Sequence, residues 1–335
     1  MSHFSVLVAV PGVALDEDVS STVHSCLGDI MEPYCESTED PAFLQFVDVE
    51  DASRDEYNTG ETRAVRFPDG HLESVHCSSV RERFDFDGEH LSVSDHHSKE
   101  FSDEELSELL QRCELIVHCP YTQLYPTFDK FMEDWHGYSK RNVQKRYGYY
   151  SNPNATWDWY QIGGRWPGEF LVKAENTNYV SSEDSGEEST VPGFTSCSGA
   201  RKRDICWDRM KEVAQEELRA KYHNLCEMVA GIRKPEGLLH VEDGAVYGWN
   251  AFPLLEAGET EEHYLKRNRA GADDMGIPGF YAYVDIDGEW HSQGDMGWWG
   301  ISSNDKPETD WNAECLEFIQ DQHENTVFVM VDCHI

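Results

Sequence analysis

No run of about 18 apolar residues occurs in the 335-residue sequence, so no helix of bilayer-spanning length is expected. The opening MSHFSVLVAVPG has neither the basic region nor the small-residue cleavage site of a signal peptide. Both absences point to a cytoplasmic protein with no membrane partner. The ten cysteines are scattered and form no CxxC pair, which argues against zinc ribbons and thioredoxin-like motifs and favours reduced, mostly buried thiols. No internal repeat is visible, so solenoids and propellers are poor candidates. No established catalytic or cofactor fingerprint is present either.

Basic residues are also scarce. Against 64 Asp and Glu there are 27 Lys and Arg, a formal net charge of −37, which repels phosphate backbones and anionic membranes. Direct nucleic-acid binding is therefore not expected. A solvated acidic surface, adaptation to salt and mimicry of nucleic acid all fit such a charge. The cysteine content argues against salt adaptation. The acids concentrate in loop-like stretches, Glu36 to Glu56, Glu82 to Glu100 and Glu183 to Glu188, which suits a solvated surface better than an ordered stripe.

What is abundant is apolar and aromatic: 39% of residues are hydrophobic, enough for a substantial core. Phe4 to Val10 reads as a strand, Val19, Val23, Leu27 and Ile30 recur at helical spacing, and Phe43 to Val49 returns to strand character. Near the other end, Phe280 to Ile286 is strand-like. Thr309 can cap a helix carrying Trp311, Cys315, Phe318 and Ile319 on one face, and Thr326 to Asp332 is a strand.

Two β-α-β units predict an α+β fold with a ferredoxin-like split βαβ core, its first and last strands adjacent and antiparallel. The expected organisation is one elaborated domain, with core 1–50 plus 278–335 and a long mixed α/β insertion 51–277. Within the insertion, hairpins are expected at Pro68-Asp69-Gly70 and Asp87-Gly88, and helices from Asp103 to Cys113 and Thr127 to Trp135. The polar stretch 175–203 reads as flexible. A long helix from Asp204 to Ala230 follows, with Gly231 as its C-terminal cap.

Three segments could carry chemistry. Asn152 to Phe170, NPNATWDWYQIGGRWPGEF, concentrates three tryptophans, a tyrosine, paired glycines and an arginine. Strand alternation puts Trp157, Trp159 and Gln161 on one face and Asp158, Tyr160 and Ile162 on the other. Gly163 and Gly164 then let the backbone turn so that amide groups and the Arg165 guanidinium could meet one anion. Trp157, Trp159, Tyr160 and Trp166 could stack on a base; the competing reading is a Trp-rich core hairpin. A second segment, Gly294 to Gly300, sets Asp295 beside Trp298 and Trp299 in a loop, either as a hydrophobic plug or as a site in which Asp295 partners Arg165.

The third segment is Val331-Asp332-Cys333-His334-Ile335. Asp332 and His334 share a strand face, and the pairing of first and last strands would bring up His3. Two histidines and a carboxylate can hold a divalent metal; a metal-free polar site and a structural terminus are the alternatives. Cys333 and His334 point apart on a strand, against a Cys-His nucleophile pair. Asp204, beside Arg201-Lys202-Arg203, caps the long helix or joins a phosphate-binding helix start. His96-His97 reads as surface.

The segments MSHFSVLV, NPNATWDWYQIGGRW, ARKRDI, GDMGWWG and VFVMVDCHI together resemble a family of uncharacterised proteins of bacteriophages and bacterial genomes. The resemblance spans both ends and the middle, though not the acidic stretch Glu36 to Glu100. It implies a phage or prophage accessory protein, acting in the host cytoplasm if phage-encoded, and nothing about reaction type.

The leading expectation is a pocket for a phosphorylated or nucleotide-like small molecule, with Arg165, Asp295 and Asp204 as polar groups. In its enzymatic form it is a metal-assisted hydrolase using His3, Asp332 and His334. The alternative is an acidic, nucleic-acid-mimicking inhibitor of a host protein.

Overall fold

The computed structural model describes residues 2–12, 17–95, 101–141, 145–182, 191–249, 252–297 and 301–335. Its architecture is mixed α+β. No described helix is long and apolar enough to cross a membrane.

The chain separates into two compact units, one of residues 1–38 and 154–335, the other of residues 39–153. A single domain with its core in 1–50 and 278–335 is therefore not what the contacts show. Residues 39–50 belong to the inserted unit, while 154–277 supply strands and the helices Trp207–Val229 and Glu261–Arg267 to the discontinuous one.

Nine elements organise the discontinuous unit: β1 (His3–Val10), α1 (Val19–Met31), β2 (Trp159–Ile162), β3 (Gly199–Arg201), α2 (Trp207–Val229), β4 (Ala282–Val284), β5 (Trp290–Ser292), α3 (Glu308–Asp321) and β6 (Val327–His334). The sheet order is β2-β6-β1-β4-β5, with β3 pairing β6 beyond β2 along the same edge. β1 and β6 are antiparallel neighbours in full register, from His3↔His334 to Val10↔Val327, as the sequence suggested.

The rest of a ferredoxin-like order does not follow. β1 pairs β4 in parallel, whereas that topology alternates direction throughout. The expected second strand lies elsewhere, since Gln45–Asp48 pairs Arg146–Ser151 within the inserted unit. That segment has the burial pattern of an edge, with three of its four residues exposed, so it carries too little apolar surface for a sheet enclosed on both faces.

β1 and β6 are buried along nearly their whole length, which explains their continuous apolar runs. On one face Phe4, Val6, Val8 and Val10 meet Val19, Val23, Leu27 and Met31 of α1. On the other, Leu7, Ala9, Phe328 and Met330 meet Trp311, Cys315, Phe318 and Ile319 of α3. The two helices thus cover opposite faces, a further departure from the split βαβ arrangement. Full burial of the aliphatic side chains is worth about 1.5–3 kcal/mol each, so these two layers fix the alignment of β1 with β6.

Local signals fare well. Helix α2 ends on Gly231, whose φ of 71° and amide bond to Met228 O make the expected left-handed cap. The hairpins form around Gly70 and Gly88, both at positive φ. Ser102 and Glu105 form a capping box on Asp103–Leu110, and Thr127 caps Phe128–Asp134. Two helix starts differ from expectation: α3 begins after Pro307 without a side-chain cap, and α2 begins after Cys206 rather than Asp204. The expectation of a flexible 175–203 is corrected over Phe194–Cys197 and Gly199–Arg201, which are paired strands; residues 183–190 lie outside the described residues.

Candidate functional site

Cross-strand partners in an antiparallel pair share a face. The registers His3↔His334 and Trp159↔His334 therefore line up Trp159, His334 and His3 in one row across β2, β6 and β1. The next row on that face is Gln161, Asp332 and Ser5. The His3 and His334 rings are edge-to-face with centroids 5.0 Å apart, and Trp159 stacks on His334 at 5.2 Å. Both rows stand beyond the Leu7 and Met330 end of the apolar layer, where the core gives way to polar groups.

Each imidazole is held from behind by a carboxylate. His3 Nδ1 lies 2.8 Å from Asp332 Oδ1, and His334 Nδ1 lies 2.6 Å from Asp158 Oδ1. An ionised carboxylate only accepts, so Nδ1 carries the proton and a neutral ring presents the lone pair of Nε2. Neither Nε2 has a hydrogen-bond partner among the described residues. Asp332 is 2% exposed and its second oxygen accepts the Arg165 amide at 2.9 Å.

The paired glycines make that last bond possible. Gly163 and Gly164 sit at φ 74° and 50°, and a Cβ on Gly164 would stand 2.5 Å from Asp332 Oδ2 and 2.9 Å from its Cγ. The turn does present an amide to an anion, as expected, but the anion is the chain's own Asp332. The Arg165 side chain is exposed, with no ion-pair or hydrogen-bond partner among the described residues.

The proposed metal set does not converge. Among the described residues, His3, Asp332 and His334 are not a group whose donor atoms all approach within 4.8 Å; the groups that do are Glu256, Glu259, His263 and Asp285, Glu289, His291. Asp332 sits behind His3 rather than beside it. In the first convergent group Glu259 is already bound by Arg267, and in the second Asp285 accepts the amides of Asp287 and Glu289 within its own hairpin.

Other expected residues scatter. Trp157 is buried and packs edge-on to Tyr160 in the α1-side core, because a bend at Asp158 breaks the strand alternation before β2 starts. Trp157 and Tyr160 are thus core residues, and Trp159, 44% exposed, is the one tryptophan of the segment beside the histidines. Trp166 packs at the margin of the α3-side core. Asp295 pairs with Asn304, not Arg165. Trp298 and Trp299 lie outside the described residues, as does His96-His97.

Asp204 lies 3.7 Å from the buried Arg201. Lys202 caps carbonyls at the end of α3, and Arg203 bonds Glu324 O. Each member of the basic triplet thus has a partner within the chain.

Sequence reasoning missed the role of Asp158, which alternation assigned to the wrong surroundings. Burial pushes the Glu169 carboxyl above its usual range. Cys333, on the face opposite His334, has a thiol pushed well up by burial, which removes it as a nucleophile. Comparison with family models, curated proteins and solved structures finds no match to this chain.

Proposed function

We propose that the discontinuous unit binds a phosphorylated or nucleotide-like small molecule over the Trp159-His334-His3 row and hydrolyses it by acid–base chemistry. The observation that carries this reading is the pair of imidazoles, each with Nδ1 on a carboxylate and Nε2 free, with Arg165 joined through its backbone amide to Asp332. One Nε2 accepts a proton from the attacking water while the other imidazole, protonated, donates to the leaving oxygen. Asp332 and Asp158 act as positioning residues that fix ring orientation and tautomer. Arg165, anchored at its amide to Asp332, supplies the guanidinium fork for the phosphoryl oxygens, and the exposed part of Trp159 supplies a stacking surface for a base. A divalent ion here would be offered two imidazole nitrogens and no free carboxylate from this set, so the metal-free form is the one adopted. The resemblance noted above adds a phage or prophage accessory setting to the proposal.

The test is a thermal-shift and phosphate-release screen over mononucleotides and sugar phosphates, run on the wild type, Arg165→Ala, His3→Ala and His334→Ala. Binding lost in Arg165→Ala, and turnover lost with binding retained in the histidine variants, is expected. Ligand binding indifferent to Arg165 would overturn the assignment. The net charge of −37 favours a second reading, an acidic inhibitor of a host protein. That reading expects capture of a basic host partner, weakened by salt and unaffected by Arg165→Ala.

A further inference from the structure

The histidine pair is flanked on both sides. Toward β2 stands Trp159, 44% exposed. Toward β1, on the same face as His3, lies Ser5, the cross-strand partner of Asp332, and there a cavity of about 540 Å³ begins among Ser5, Asp274, Phe280, Gln293, Glu308 and Asn312. We infer that the substrate is a phosphodiester joining two ribonucleosides, one seated on Trp159 and the other in this cavity, and that its own 2′-hydroxyl is the attacking group. The inference rests on the reading of the histidine pair given above and narrows it to one substrate class.

A diester differs from a monoester in carrying two organic groups on one phosphorus, and two places to hold them are present. Cross-strand side chains on one face lie about 4.5–5.5 Å apart, so the cavity wall at Ser5 starts one residue from the carboxylate that holds His3. Its volume falls in the range of about 300–1,000 Å³ typical of ligand pockets, enough for a nucleoside. Gln293 and Asn312 each present an amide with both donor and acceptor, the pattern that pairs with a base edge. Glu308, and Asp274 with Arg269 at 3.0 Å, accept from ribose hydroxyls and repel further phosphate groups. The net charge of −37 acts in the same direction, against a polynucleotide and in favour of a substrate with a single phosphate.

The catalytic groups favour the same class. A monoester reacts through a loose transition state that asks little of a general base, and its dianion would meet the Asp158 and Asp332 carboxylates with one guanidinium to offset them. A diester carries one negative charge, which Arg165 matches. It needs both a base for the nucleophile and an acid for the leaving alkoxide. His3 and His334 supply the two, with ring centroids 5.0 Å apart and 11% and 7% of their side chains exposed. A vicinal hydroxyl is a ready nucleophile, since its effective molarity reaches about 10⁵–10⁸ M. One imidazole takes the 2′-OH proton, the 2′-oxygen bonds to phosphorus, the P–O5′ bond breaks, and the other ring, as imidazolium, donates its proton to O5′. The products are a 2′,3′-cyclic phosphate and a free 5′-hydroxyl. With the proton roles exchanged, water then opens the cyclic phosphate to a 3′-phosphate, so the net reaction is hydrolysis.

The experiment incubates the whole protein with ribodinucleoside monophosphates of all base combinations, their 2′-deoxy counterparts and ribonucleoside monophosphates, and follows the products by phosphorus NMR. Cleavage of the ribo diesters through a 2′,3′-cyclic phosphate is expected, with the deoxy diesters bound but uncleaved. His3→Ala and His334→Ala should each lower kcat by roughly 10²–10⁴-fold and each remove one limb of a bell-shaped pH profile. Asn312→Ala and Gln293→Ala, on folded protein of unchanged melting temperature, should each raise KM for the diester roughly tenfold with kcat kept. Deoxy diesters cleaved as fast as ribo ones, or a KM indifferent to both amide substitutions, would overturn the inference. Monoesters hydrolysed with the Arg165 and histidine dependence given above, and ribo diesters left intact, would sink the diester assignment and leave the broader reading standing. Diester cleavage that survives both histidine substitutions, or neither binding nor turnover of any of the three sets, would end both.

Discussion

Gly164→Ala tests whether the glycine turn exists to admit Asp332. The substitution adds one methyl group to a residue at φ 50°, where an L side chain costs about 1–2 kcal/mol. The added Cβ would lie 2.5 Å from Asp332 Oδ2, so the carboxylate must retreat from a site in which it is 2% exposed. Such overpacking costs about 1–3 kcal/mol, and loosening the hydrogen bonds of an ionised group adds about 1.5–3 kcal/mol when they are lost outright. The first two contributions give about 2–5 kcal/mol, rising to about 3.5–8 kcal/mol if the hydrogen bonds are lost outright, a large fraction of a typical stability of about 5–15 kcal/mol.

Gly231 provides the comparison. It has φ 71° with open space around a Cβ, so Gly231→Ala isolates the conformational cost of about 1–2 kcal/mol. Urea unfolding of both variants, and of Gly164→Ala in an Asp332→Ala background, reads out the difference. In that background the carboxylate contacts are gone but the Cβ at position 332, the closest atom to the added methyl group, remains, so the penalty should fall part of the way towards the Gly231 level. Equal costs for the two glycines in the native background would refute the argument.

Other expectations are more local. Arg267 bonds both oxygens of Glu259 and, above all else, lowers its carboxyl to about 2. A depressed carboxyl stabilises the fold above its unfolded value of about 4.3 and ceases to do so as pH falls through about 2; Arg267→Leu should therefore destabilise at pH 7 and matter progressively less from pH 4.5 to 2, as measured by urea midpoints. Lys202→Met removes the ammonium that bonds the Gln320 and Gln322 carbonyls at 2.6 and 2.7 Å, and should cost about 1–2 kcal/mol; no change in the unfolding midpoint would contradict it. The buried Cys333 thiol, with its raised pKa, should resist iodoacetamide at pH 8 in the folded protein and react on unfolding, as peptide mass mapping would show. Asp158→Asn should leave the fold intact and lower any turnover at the histidine pair, since an amide can hold the ring in the wrong tautomer.

The pairing of His3 with His334 was legible because both strands are continuous apolar runs, and buried central strands leave little choice of partner. Helices α2 and α3 were legible for the same reason, through Met210 and Leu225 in one and Trp311, Cys315, Phe318 and Ile319 in the other. The parallel β1–β4 pair was not, since strand direction depends on the path of intervening chain rather than on side-chain pattern. Trp157 and Trp159 show the limit at the scale of one residue. A single bend at Asp158 sends the first into the core and leaves the second beside His334, and no composition rule distinguishes them. The fate of Gly163-Gly164 was half legible: two glycines before an arginine do present an amide to an anion, yet only the fold reveals that Asp332 is that anion.

β6 is flanked by β1 on one side and by β2 and β3 on the other, so every neighbour it joins was made earlier in the chain. The bond between His3 and Asp332 closes a separation of 329 residues. At synthesis rates of about 5–20 residues per second, β1 exists for roughly 15–65 s before its antiparallel partner is made. For most of that interval Val6, Val8 and Leu7 lack both sheet neighbours, since β4 at Ala282–Val284 is also made late, so the nascent chain carries an apolar strand that α1 can shield on one face only. Folding of this unit is thus a late, long-range event, slow by contact order, and its early intermediates are the states in which aggregation competes most strongly with the native sheet.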